Sequence, residues 1–279
     1  MSVWYTLWDL LPFEMFHWNF MKNALLAVLI MAPLFGICST MIVTGKMSFF
    51  SDALGHSAFT GIAIGCICGL ANPTWMAVLF AVAFSVLFSF VKNRSNQSAD
   101  TIIGVFSSTA VALGIFTATV GGGSFTKYNR YLIGDLLSVT PEQISLLAVV
   151  FLVVLVFWIF LSNRLFLSVM YPQLASSRGF PVAVLQGVFT ALIAVVVTLA
   201  ISWVGLLIIN SLLVLPGAAA RNVSKNLRQY HCFSVIFALF SCVAGLVISY
   251  AFGASTGAAI CLVLAAIFAI SFFLRKVCR

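Results

Sequence analysis

Three stretches without a single charged residue, Ser57–Val91, Gly179–Ala220 and Cys232–Leu274, run for 35, 42 and 43 residues. One helical crossing of a hydrocarbon core about 30 Å thick needs about 20 apolar residues, so each stretch holds two crossings. A chain built this way cannot cover a water-facing surface. Charged residues make up 7% of its 279 positions and hydrophobic ones 63%, where a soluble domain carries roughly 25% charge. The expected fold is all-α, a polytopic helical membrane protein. The net charge of +8 does not point to nucleic acid. The bases stand singly between apolar runs, with no basic stripe and no aromatic-interleaved patch, as membrane topology signals do.

The breaks divide the chain into nine candidate spans. Ala24–Val43 is the first, and Ser57–Val91 divides at Ala71-Asn72-Pro73. Thr101–Val120 ends in Gly121-Gly122-Gly123, and Gln143–Asn163 follows. Gly179–Ala220 divides near Ser202-Trp203, and Cys232–Leu274 near Gly253-Ala254-Ser255. Merging or re-entry at the short breaks would reduce the count to eight or seven. With the C-terminus in the cytoplasm and nine crossings, 11 of the 14 Lys and Arg residues fall inside. Only Lys22, Lys127 and Arg130 remain outside, which the positive-inside rule favours.

Residues 1–19 lack the basic leader of an export signal and are rich in Trp and Tyr, so they read as an interfacial segment. The remainder reads as a single transmembrane domain over 1–279 with no separate soluble part. Residues 162–180 form a polar loop, long enough for a short cytoplasmic helix. Thr140-Pro141-Glu142 has the pattern of a helix start, with Thr as cap and Pro at the first helical position. Six of the seven cysteines lie in or beside apolar runs, and Cys66 and Cys68 are too close for a redox or zinc-ribbon motif. They read as small hydrophobes.

One pair carries metal chemistry. Asp52 and His56 lie four apart at the edge of the second span, and on a helix such residues share a face. Ionisable groups at membrane depth are costly and are retained where they face a pathway or a partner. Two readings are open at this point. The pair caps the start of the span, with Ser51 as cap and Asp52 on the helix dipole, or it offers one oxygen and one nitrogen to a transition metal. One Asp and one His are too few for a closed site, whereas a homodimer with this face on its axis doubles them. Asp100 reads as an N-cap, Asp135 as a solvated residue or an external contact, and His17 and His231 as interfacial histidines. Pro216 to Ala220 ends a span in small residues that permit close helix contact. No Walker A loop, Gly-x-Ser-x-Gly elbow or His-Glu-x-x-His motif occurs in the chain. ATP-driven transport therefore requires hydrolysis by another subunit.

These residues also carry a resemblance. Met47 to Gly61, with Ser51-Asp52-Ala53-Leu54-Gly55-His56 at its centre, is similar to the M-x-x-F/M-G-D-A-L-S-H-A-x-L-P-G stretch of the permease subunits of ABC transporters for zinc, manganese or iron(II). Asp100 to Ser108 resembles that family's D-T-A-I-G-I-x-F-S, and Tyr131 to Leu137 its Y-L-F-G-x-I-L. Val204 to Arg221 resembles V-G-x-L-L…L-L-x-x-P-A-A-x-A-R. The matches run in one order from about residue 45 to the C-terminus. The resemblance implies an ABC importer permease-like bundle of about 8–9 transmembrane segments in a bacterial cytoplasmic membrane. It implies Zn2+, Mn2+ or Fe2+ as cargo, with no permanently bound cofactor. The implied partners are a second copy of the chain, two cytoplasmic ATP-binding subunits, an extracytoplasmic metal-binding protein and membrane lipid, with no nucleic acid. Asp52 and His56 correspond to residues lining the family's translocation path. Tyr171-Pro172-Gln173-Leu174-Ala175 resembles F-D-P-E-L-A, the ATPase-coupling segment, with Tyr171 and Gln173 in place of its Asp and Glu. An ATP-independent secondary transporter or channel is the competing expectation.

Overall fold

The computed structural model describes residues 18–70, 72–120 and 136–275. Among these residues all regular structure is helical: α1 (Asn19–Thr44), α2 (Phe50–Ile67), α3 (Thr74–Arg94), α4 (Ala99–Val120), α5 (Pro141–Met170), α6 (Pro172–Ser177), α7 (Val182–Val204), α8 (Leu206–Val223), α9 (Leu227–Phe252) and α10 (Thr256–Leu274), with a 3-10 turn at Leu136–Ser138. Eight of these helices are long and apolar enough to cross a membrane. The other two are the short α6 and α2, which at 18 residues is about 27 Å long but carries Asp52 and His56. The all-α polytopic bundle expected from composition is thus the fold observed. Residues 1–17 of the interfacial segment 1–19, the glycine triplet, and residues 131–135 of the Tyr131 motif, Asp135 among them, lie outside the described residues.

The helix boundaries follow local chemistry, and some differ from the sequence reading. The break expected near Ser202-Trp203 falls at Gly205, whose φ of +93° and ψ of 151° belong to a region open essentially to glycine alone. The break at Gly253 is a left-handed C-cap of α9 (φ +60°). Asp100 is not the N-cap of its helix. Ser98 takes that place, accepting from the Thr101 N–H at 3.2 Å, and Asp100 lies in the first turn of α4. Thr140 does cap α5. Its Oγ1 accepts from Gln143 N at 3.4 Å while Gln143 Oε1 accepts from Thr140 N at 3.0 Å, a reciprocal capping box ahead of Pro141. Thr140→Ala is expected to lower stability by about 1 kcal/mol, read as a fall in thermal midpoint in detergent.

The chain divides into two compact units, Met1–Thr40 with Asp135–Leu155 and Trp203–Arg279, and Met41–Gly134 with Val156–Ser202. In the first, α8, α9 and α10 pack on one another, and α8 and α9 meet α1 through small residues and hydroxyls. Ser234 donates to Gly36 O at 2.6 Å and Tyr230 OH to Thr40 O at 3.2 Å. Thr40 Oγ1 gives its one proton to Ile37 O at 2.7 Å. It also stands 2.9 Å from His231 Nδ1, within hydrogen-bond distance, so His231 is tied into a helix contact. Pro216 lies inside α8, and one residue on, Gly217 N donates to Ser39 Oγ at 2.9 Å. A Cβ on Gly217 would stand 2.6 Å from Ser39 Oγ and 2.8 Å from Ser39 O. Gly217→Ala should therefore destabilise this packing by about 1–3 kcal/mol, measurable as earlier thermal unfolding.

In the second unit, α2 packs against both α3 and α4. The Phe50 and Phe88 rings meet at a tilt with centroids 4.9 Å apart, and Phe88 meets Phe106 edge-on at 5.9 Å. Thr60 Oγ1 donates to Ala110 O at 2.6 Å, a bond between α2 and α4. Gly61 lies directly on the α3 backbone and Gly114 on the Phe59 ring. The second half of α5 packs on α7 through Trp158 and Phe189, with Gln186 Nε2 donating to Ser168 O at 3.2 Å.

Candidate functional site

The second span begins earlier than its charge-free run. α2 starts at Phe50, so Asp52 and His56 are in its first two turns. Capping by Ser51 is not observed: Phe49 is the N-cap position, with no side-chain capping bond. Ser51 is buried, and its hydroxyl has no hydrogen-bond partner among the described residues.

The burial pattern of α2 explains its composition. From Phe50 to Ala63 every residue is buried except Asp52 and His56. Ala53, Gly55, Ser57, Ala58 and Gly61 let the neighbouring helices close around the helix, and the two ionisable residues hold the one open strip. The Asp52 side chain is 46% exposed and that of His56 35%. His56 Nε2 and Asp52 Oδ2 stand 3.5 Å apart, longer than a good N–H···O bond of about 2.7–3.2 Å. Two donors bound to one tetrahedral zinc at about 2.0–2.2 Å lie about 3.4 Å from each other. The pair therefore has the separation of two ligands of one ion. Among the described residues no third His, Cys, Asp or Glu completes a metal-binding group.

Below the pair, the turn from α1 into α2 is closed by Lys46 at a φ of +52° and by Met47 N donating to Ile42 O at 3.0 Å. Met47 is buried, and Lys92 Nζ of α3 lies 3.5 Å from its sulfur. This lysine, unremarkable in the sequence, anchors the turn that sets the start of α2.

The second candidate segment also takes shape. α5 continues to Met170, so much of the polar 162–180 loop is helix, followed by the short helix expected there, α6. Tyr171 (59%), Leu174 (45%) and Gln173 are exposed, whereas Ala175 is fully buried. The C-terminus of α6 is closed by Gly179, at φ +77°, and by Phe180 N donating to Ala175 O at 3.1 Å. The Arg164 guanidinium stacks over the Phe180 ring at 5.2 Å.

Comparison with known proteins agrees with this architecture over nearly the whole chain. Residues 17–275 match the model of the ABC 3 transport family. The manganese import system permease protein ScaB of Streptococcus gordonii is 31% identical, over 92% of this chain and 91% of that protein. The high-affinity zinc uptake system membrane protein ZnuB of Haemophilus influenzae is 27% identical, over 89% and 93%. Among solved structures, PsaBC from Streptococcus pneumoniae in complex with Fab superposes with a TM-score of 0.78 at 28% identity, covering 92% of each chain. An inward-facing putative metal-chelate type ABC transporter shares the fold alone, with a TM-score of 0.71 at 16% identity. Eight helices long and apolar enough to cross a membrane, in a chain matched from residue 17 to residue 275, make this a multi-pass membrane protein of the ABC 3 transport family.

Proposed function

We propose that the chain is the permease subunit of an ATP-binding-cassette importer for divalent transition-metal ions, zinc or manganese foremost. The observation that carries this reading is the open strip of α2, where Asp52 and His56 alone escape burial and hold donor atoms 3.5 Å apart. Two copies bring two such strips to one axis. Two carboxylates and two imidazoles then meet the four-ligand preference of zinc and the mixed N/O preference of manganese. The ion is cargo, so the site must release it as well as bind it, as a conduction site does. Half the ligands from each copy suit that need, because a small change at the dimer axis separates the two halves.

The finer assignments follow from the same reading. The chain sits in a bacterial cytoplasmic membrane with its C-terminus inside. It receives the ion from an extracytoplasmic metal-binding protein and carries α6 toward two ATP-binding subunits, through Tyr171, Gln173, Leu174 and Ala175. Support for a metal cargo comes from the names of the relatives, a manganese import permease and a zinc uptake membrane protein. The chain itself has no phosphate-binding loop, so hydrolysis belongs to a partner.

Reconstitution tests the reading. Proteoliposomes holding the chain, its cognate ATP-binding subunit and ATP are expected to accumulate zinc or manganese, and to stop when ATP or the subunit is withheld. Uptake that continues undiminished without the ATP-binding subunit would instead establish a secondary transporter or channel.

A further inference from the structure

The open strip of α2 ends one turn beyond His56. Phe59 and Thr60, three and four residues on, share the face of His56, yet they are only 3% and 1% exposed. α4 covers them. A Cβ on Gly114 would stand 2.5 Å from Phe59 Cδ1 and 2.8 Å from Thr60 Oγ1, so α4 lies directly on both side chains. Thr60 Oγ1 has two carbonyl neighbours at this crossing, Ala110 O of α4 at 2.6 Å and His56 O of its own helix at 3.2 Å. A hydroxyl has one proton, and the shorter contact takes it. Helical threonines can instead bond their own i−4 carbonyl, as Thr109 and Thr117 of α4 do at 2.8 Å and Thr119 at 2.9 Å. Thr60 favours the neighbouring helix, and the carbonyl it passes over is that of His56.

We propose that Thr60 is a positioning residue for the metal pair, pinning the His56 turn of α2 to α4 so that imidazole and carboxylate meet one ion. The proposal rests on the reading of Asp52 and His56 as a transport site, and it adds a residue that sets the affinity of that site without touching the ion. The lever is rotation of α2. Side-chain tips lie about 5–6 Å from a helix axis, so a turn of about 10° carries the His56 ring nitrogen about 1 Å. A binding constellation must hold its groups to within about 0.5 Å. Gly114 and Ala110 offer little side chain to interlock with α2, which leaves the Thr60 bond as the directional contact of the crossing. Hydrogen bonds between helices in a membrane are modest in energy, so the bond contributes direction more than stability.

The test is metal uptake by proteoliposomes holding the full chain and its cognate ATP-binding subunit, with zinc or manganese, whichever the wild type accumulates. Thr60→Val keeps the shape and loses the hydroxyl, and its half-saturating metal concentration is expected to rise about tenfold or more. Its maximal rate should stay within about twofold of the wild type, the split that marks weakened binding with turnover intact. Thr60→Ser restores the hydroxyl and should return the half-saturating concentration to the wild-type value. Thr140→Ala, which weakens the start of α5 instead, should lose thermal stability with no such rise. An unchanged half-saturating concentration in Thr60→Val, or an equal rise in Thr140→Ala, overturns the proposal. Should Thr60→Val not elute as monodisperse protein, Thr60→Ala removes the same hydroxyl without added bulk and is read in the same way. Failure of the importer reading looks different: the wild-type chain then takes up metal without ATP, and Thr60 is judged by the same comparison in that uptake.

Discussion

His56→Ala and Asp52→Ala are each expected to abolish metal uptake by the reconstituted transporter while leaving the protein folded and assembled. The two side chains are the only unburied positions between Phe50 and Ala63, so their truncation leaves the buried packing of α2 in place. Substitutions at such positions usually change stability by no more than about 0.5 kcal/mol. Their effect on a shared ion is far larger. In a two-copy site each alanine removes two of four ligands at once, where loss of even an outer-shell partner typically costs about 10–100-fold in metal affinity or activity. A fall in uptake of at least about 100-fold is the expected result, measured with radioactive zinc or manganese in ATP-loaded proteoliposomes. Size-exclusion elution and recovery of the ATP-binding subunit should match the wild type. Undiminished transport in either variant would remove the pair from the pathway.

Gly61→Val should prevent the second unit from packing. A Cβ at Gly61 would lie 2.5 Å from Ala77 Cα and 3.0 Å from Met76 O, and backbone atoms cannot swing aside as a side-chain tip can. Even modest overpacking costs about 1–3 kcal/mol, and valine adds two methyls beyond that first atom. The expected result is a large fall in thermal midpoint in detergent, or failure to recover monodisperse protein. Gly104→Ala is the counterpart, because nothing lies within 4 Å of a Cβ there. That helical position should gain up to about 1 kcal/mol from the better helix former. Equal midpoints for Gly61→Val and the wild type would mean that α2 and α3 do not approach so closely. Because α2 bears Asp52 and His56, a milder Gly61→Ala variant should also impair transport by displacing the strip.

Much of this protein was legible from spacing. Charge-free runs and their Gly, Pro and Asn breaks located the long helices, because a backbone in lipid must satisfy its own hydrogen bonds and needs a fixed length to cross. Thr140-Pro141-Glu142 announced the start of α5 for a similarly local reason. Local rules misled where more than one residue could serve. Ser98 rather than Asp100 caps α4, and Gly205 rather than Ser202-Trp203 ends α7, since glycine alone tolerates the conformation the break requires. The start of α2 at Phe50 was hidden because Asp52 and His56 interrupt the apolar pattern that marks a span.

The i, i+4 spacing in the sequence already placed Asp52 and His56 on one helix face, a consequence of the 3.6-residue period alone. Whether that face would be buried, capped or open was not a local property. It depends on which residues of α2 meet α3 and α4, and those contacts come from chain segments far apart in sequence. Thr60 bonds to Ala110, Gly61 lies on Ala77, and Phe59 on Gly114. These long-range contacts fix the rotation of α2 about its own axis. They bury its small residues and leave the carboxylate and imidazole as its open strip, rather than as a cap on its first turn.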